Sequence, residues 1–163
     1  MFWWNMQLLK FKDYRARRRA IRGLSQSQDE RAIDPVIAAL DDRHYLVRKA
    51  AAQALGDFGG EHALAPLLTL AEDTFHYPMA KIAVDALQNV LGRAATNADR
   101  KDLEAAANLH DVSGLFRHPT EGVGYFSEEN RTLHWTVDCS RIRALAGQEM
   151  IRRTKGGAPC ASP

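Results

Sequence analysis

The chain has 163 residues, is 45% hydrophobic and 26% charged, and carries a formal net charge of +2. That composition excludes a disordered or collagen-like chain, and the length suits one domain or one domain with an appendage. Two cysteines, Cys139 and Cys160, exclude a disulfide framework, and no run approaches the roughly 20 apolar residues that span a bilayer.

Residues 1–24 hold seven Lys/Arg and one Asp, a net of +6. Phe2, Trp3, Trp4, Met6, Leu8, Leu9 and Phe11 make this start apolar. A helix over Phe2–Phe11 that covers the open end of the fold is the favoured reading. A membrane-surface helix, which also places tryptophans beside arginines, ranks behind it, as does a docking segment. A signal peptide is disfavoured, because the basic residues follow the apolar run.

Two helices are expected next, over Tyr14–Leu24 and about Asp29–Leu40. Asp41-Asp42 then precede a helix over Tyr45–Phe58 and are expected to cap its free N–H groups. Val47, Ala51, Ala54, Leu55 and Phe58 fall at helical spacing along it. Gly59-Gly60 end it, and a second run over Glu61–Ala71 presents Leu64, Leu67, Leu68 and Ala71 on one face. Pro66 belongs in an early turn of that run or at a kink. Thr74–Pro78 interrupts, and Met79–Leu91 is the next helix, ended by Gly92. Asn97 or Asp99 is placed to cap a partner helix running to about Leu109. The whole stretch 25–113 carries a net of −6.

After Asp111 the pattern changes. Gly114, Pro119, Gly122 and Gly124 indicate a loop. Val123–Phe126 and Arg131–Val137 are expected to form a β-hairpin around Ser127–Asn130. Asp138 or Ser140 then caps a helix from Arg141 to about Arg153, with Ile142, Leu145 and Ala146 on one face and Ile151 off it. Residues 156–163 read as a flexible tail.

The helical stretch repeats. A shift of 31 residues superposes Tyr14 on Tyr45, Arg17 on Arg48, Ala20 on Ala51, Leu24 on Leu55 and Pro35 on Pro66. A shift of 32 then superposes Tyr45 on Tyr77, Lys49 on Lys81, Ala51 on Ala83, Ala54 on Ala86 and Leu55 on Leu87. Such a period points to stacked helix pairs, because one pair cannot bury its apolar face alone. The fold class is therefore mainly α: a short solenoid of about three helix pairs with a C-terminal hairpin and helix. The divisions are a capping helix over 1–13, the solenoid over 14–110, the appendage over 111–155 and the tail.

The pattern of Asp41-Asp42, Val47-Arg48, Ala50-Ala51, Ala54-Leu55-Gly56, Gly59 and Ala65-Pro66-Leu67 resembles the short HEAT-like repeats named after phycobilisome lyases. The resemblance spans about 14–110 and thins in the third unit, where Ala80 replaces the arginine and Gln88 the first glycine. It implies a right-handed solenoid that binds proteins. It also implies that Arg17 and Arg48 are structural and pair with aspartates of the inter-repeat turns, such as Asp41 and Asp42.

Arg15, Arg18, Arg19 and Arg22 form a basic helix face suited to phosphate, an acidic protein or an anionic lipid surface, or simply to solvent. Trp135 and Tyr125 either anchor a partner or pack the hairpin. The six histidines show no zinc-hydrolase spacing, so no metal is expected, and no catalytic residue or cofactor either. Cys139 reads first as a small buried hydrophobe, with a reactive thiol as the alternative.

The leading expectation is a non-catalytic protein-interaction scaffold of the bacterial cytoplasm. Its inner surface is placed on the acid-rich second helices around Asp29–Leu40, Glu61–Ala71 and Asp99–Leu109, opposite a basic partner. A bilin-lyase-related enzyme or accessory subunit is the alternative that the resemblance offers. Nucleic-acid binding through Arg15–Arg22 comes third, disfavoured by the acidic middle, and membrane contact through Phe2–Phe11 is ranked below the capping role.

Overall fold

The computed structural model describes residues 2–72, 77–94, 98–117 and 132–156. In chain order these form α1 (Phe2–Leu8), α2 (Tyr14–Ser27), α3 (Ile33–Ala38), α4 (Tyr45–Phe58), α5 (Leu64–Glu72), α6 (Tyr77–Ala94), α7 (Arg100–Ala107), β1 (Val112–Arg117), β2 (Thr132–Val137) and α8 (Ser140–Gly156). Single 3-10 turns lead into α3 and α5 and follow α3.

Side-chain chemistry sets several helix starts among the described residues. Asp13 precedes α2 in an extended conformation, and its carboxylate accepts the Arg15 N–H at 3.0 Å. Asp29 does the same for Arg31 at 3.0 Å. The expected capping of α4 by Asp41-Asp42 is corrected. The cap is His44, whose Nδ1 accepts the Leu46 N–H at 3.3 Å. Asp42 lies one step further out and accepts the His44 N–H at 2.8 Å, because its carboxylate is engaged elsewhere. Pro66 sits in the first turn of α5, where a missing N–H costs nothing. After α4, Gly60 turns the chain at φ +57°, a region that side chains disfavour.

The first helices of the repeats, α2, α4 and α6, lie side by side. α3 backs onto α4, while α5 packs on α6 and reaches α7. One continuous core runs through them, from Ile21 and Leu24 through Val47, Leu55, Leu64 and Leu67 to Leu87, Val90 and Leu103. α1 packs on α2 through Phe2, Met6 and Leu9, so it covers that end of the stack. α8 packs on α6 and α7 at the other end, burying Ile142 and Ala146 and leaving Ile151 exposed.

The hairpin differs from expectation. β2 pairs antiparallel with β1, from Val112 opposite Val137 to Arg117 opposite Thr132. The segment 112–117 therefore belongs to a strand and not to a loop. Val123–Phe126 and Ser127–Asn130 lie outside the described residues, as do Tyr125, Cys160 and the tail beyond Gly156. Gly114 made the run look like a loop. In the ladder it stands opposite Trp135, so a residue without a side chain is paired with the bulkiest one. Both strands contact α6.

α4 and α6 approach closely at one point. A Cβ added to Gly56 would stand 2.9 Å from the Ala86 Cα, whereas one on Gly92 would meet nothing within 4 Å. Gly56→Leu is therefore expected to lower stability by about 2–3 kcal/mol through overpacking, and Gly92→Ala to raise it by about 0.5–1 kcal/mol through helix propensity. Urea unfolding of both variants checks the contrast.

Candidate functional site

Three parallel first helices present equivalent positions to the same side. Arg22, Gln53 and Asp85 are related by the 31- and 32-residue shifts, and so are Gln26, Asp57 and Asn89. These six residues line a groove of about 510 Å³, together with Ser25, Ala50, Ala54, Ile82 and Ala86. The groove is recessed at α4, the middle helix, because Ala50 there stands where the neighbouring helices carry Arg19 and Ile82, and Ala54 lines it as well. Arg22 and Gln26 rise on the α2 wall, Ile82 and Asn89 on the α6 wall.

The groove is electrostatically polarised. Arg22 supplies positive charge on the α2 wall, and Asp57 and Asp85 supply negative charge on the floor and the α6 wall. Asp85 also accepts a hydrogen bond from Lys81 one turn earlier, at 3.2 Å. That pair is exposed and contributes little to stability. The far end is tied down by Arg93, which donates to the carbonyls of Gly56 and Asp57 at the C-terminus of α4. A cation there also complements the helix dipole.

The α2 wall is positioned by a charged junction. Arg17 is 7% exposed. Its Nε and one terminal nitrogen donate to the Asp42 carboxylate at 2.6 and 2.8 Å, and its other terminal nitrogen donates to the carbonyls of Phe11 and Lys12, both at 2.8 Å. Arg48 donates to the Asp42 carbonyl at 2.9 Å, and Arg43 to the Lys12 carbonyl at 2.9 Å. Beside them the Tyr14 and His44 rings stack with centroids 3.7 Å apart. The Arg17 hydrogen bonds hold the Asp42 carboxyl below its ordinary range despite partial burial.

The residues singled out from the sequence thus separate into groups. Arg17, Arg48 and Asp42 meet at the junction, while Asp41 stays exposed at the end of a 3-10 turn. Of the basic face, Arg22 enters the groove, Arg15 and Arg19 are exposed, and Arg18 is half-buried. Trp135 stands in β2, and its side chain lies outside the described residues. Cys139 is fully buried, with its thiol pushed up chiefly by burial. Among the described residues no cluster of His, Cys, Asp or Glu is arranged to hold a metal ion. None of their helices is long and apolar enough to cross a membrane.

The groove lies on the first helices, whereas the sequence reading placed the inner surface on the second. Gln53, Asp57, Asp85 and Asn89 were missed. Their signal was present in the same alignment that revealed the repeat, as matched positions that are polar in every unit except where alanine or isoleucine shapes the walls.

Comparison with known proteins gives one family, described as HEAT repeats, which matches residues 4–88, just over half of the chain. The match runs from α1 into α6 and so includes nearly all of the groove. No curated protein matches the chain.

Asp42 has a folded-state pKa below its unfolded value, so its contribution is complete above about pH 4 and is lost as pH falls through the folded value. Asp42→Asn is expected to cost about 2–4 kcal/mol near neutral pH, because it leaves the Arg17 charge buried beside a neutral amide. Below about pH 4 the gap to the wild type should narrow. Thermal unfolding of both proteins across that range checks magnitude and sign.

Proposed function

We propose that this chain, which belongs to the HEAT-repeat family, is a non-catalytic scaffold that docks another protein in the groove across α2, α4 and α6. HEAT repeats generally mediate contacts between proteins. The observation that carries the reading is the groove itself, built from equivalent positions of three successive units on an alanine floor. Small residues on the middle helix let a partner backbone approach closely, as grooves that receive a helix do.

The polarity of the walls states what fits. A partner segment with an acidic residue toward Arg22 and a basic residue toward Asp57 and Asp85 is complementary, and the reverse orientation sets like charges together. Ile82 adds an apolar contact on the α6 wall. The scaffold needs no rearrangement to offer this surface, since its floor and walls rest on packed helices.

A photo-crosslinking residue at Gln53, in the groove, is compared with one at Thr69, exposed on α5. The expected result, in an extract of the native source, is a discrete protein adduct from position 53 that is absent from position 69. Arg22→Glu and Asp57→Arg should each reduce its yield roughly tenfold, as truncated or reversed interface charges do. Adducts from position 69 alone would move the docking face to the second helices and contradict the proposal.

A further inference from the structure

The end of the stack that α1 covers has an unusual solvent face. Phe2, Met6 and Leu9 pack toward the core, yet Trp3 and Trp4 on the opposite side are 69% and 63% exposed. Phe11, just beyond the helix, is 53% exposed. A helix packed by one face on a stack ordinarily turns a polar face to water. Here three aromatic rings are turned to it.

Positive charge surrounds these rings. Lys10, Lys12, Arg15 and Arg19 are exposed in the connecting loop and on α2. Among the described residues, none of Lys10, Lys12, Arg18, Arg19 or Arg22 forms an ion pair, and the one acidic residue before position 25, Asp13, is used to cap α2. Arg31 lies over the Phe2 ring, 4.6 Å from its centre, but its guanidinium is paired with Asp29 and is not counted in this charge. The charge is therefore directed outward and is not consumed by the fold.

We propose that α1 and the basic face of α2 dock on an anionic phospholipid bilayer, with Trp3, Trp4 and Phe11 in the headgroup layer and the arginines against lipid phosphates. Charge complementarity selects an anionic partner and opposes a second copy of this chain, whose matching face would bring two basic ends together. The placement of the rings selects a bilayer over an acidic protein. Trp3 and Trp4 are consecutive, so they diverge by about 100° around the helix, and Phe11 lies about a helix length away. One pocket does not receive three divergent anchors, but a deformable interface does, and indole rings favour that depth. No spanning segment is involved; the protein lies on the surface and leaves the α2–α4–α6 groove to its own partner.

The test is co-sedimentation of the full chain with phosphatidylcholine vesicles, with and without phosphatidylserine, read together with tryptophan emission. The expected result is binding that requires phosphatidylserine, weakens with salt and shifts the emission to the blue. Trp3→Ser/Trp4→Ser should remove the shift and weaken binding roughly tenfold or more, and Arg15→Gln/Arg19→Gln should weaken it at least as much. All four positions are exposed, so circular dichroism should report an unchanged fold in both variants. Failure to bind phosphatidylserine vesicles overturns the proposal. So does binding that survives the tryptophan substitutions, which would be adsorption by charge alone, or a concentration-dependent dimer abolished by them, which would assign the face to a second copy.

Discussion

Arg17 lies in α2, yet all its side-chain hydrogen bonds leave the helix. Two go to a carboxylate in the turn between the first and second repeats, and two go to the carbonyls of the chain entering α2. The apolar stack on its own supplies attraction without direction. A planar guanidinium, by contrast, accepts only one arrangement of its partners. The α1–α2 loop, α2 and the start of α4 are thereby fixed in one geometry. Desolvating such a pair is costly, so its value lies more in orientation than in net stability.

The groove depends on that orientation. Its α2 wall is carried by Arg22, Ser25 and Gln26, roughly one and a half to two and a half turns beyond Arg17 on the same helix. Its floor depends on a different feature, the small residues where α4 meets its neighbours, Gly56 against Ala86 among them. Alanine serves twice here. On the buried side it lets helices approach closely, and on the groove side it leaves the recess open. A protein surface with a recessed middle and charged walls is thus a by-product of how these repeats pack, with specificity added by a few exposed side chains.

The repeat and the helix pairs were legible, because the apolar period and the 31- to 32-residue spacing reflect burial directly; helix ends were less so, and Gly92, expected to end a helix, lies inside α6. Arg17 was legible as a structural residue through its match with Arg48. The capping of α4 was misjudged because Asp42 has two possible duties, and sequence does not reveal that Arg17 occupies its carboxylate. The β1 strand was hidden by Gly114, whose place in the ladder is set by a partner far along the chain. The groove on the first helices was not anticipated, because exposure on a stacked helix depends on its neighbours. Position 53 reads as an ordinary polar residue until α2 and α6 stand on either side of it.

Amide hydrogen exchange of the wild type and of Asp42→Asn tests most directly whether the Arg17 junction holds the first repeat in the stack. If it does, the variant should lose protection throughout α1 and α2 as one unit, while α6 and α8 keep theirs. Equal protection of α2 in the two proteins would show that apolar packing alone orients the groove wall, and would contradict the account.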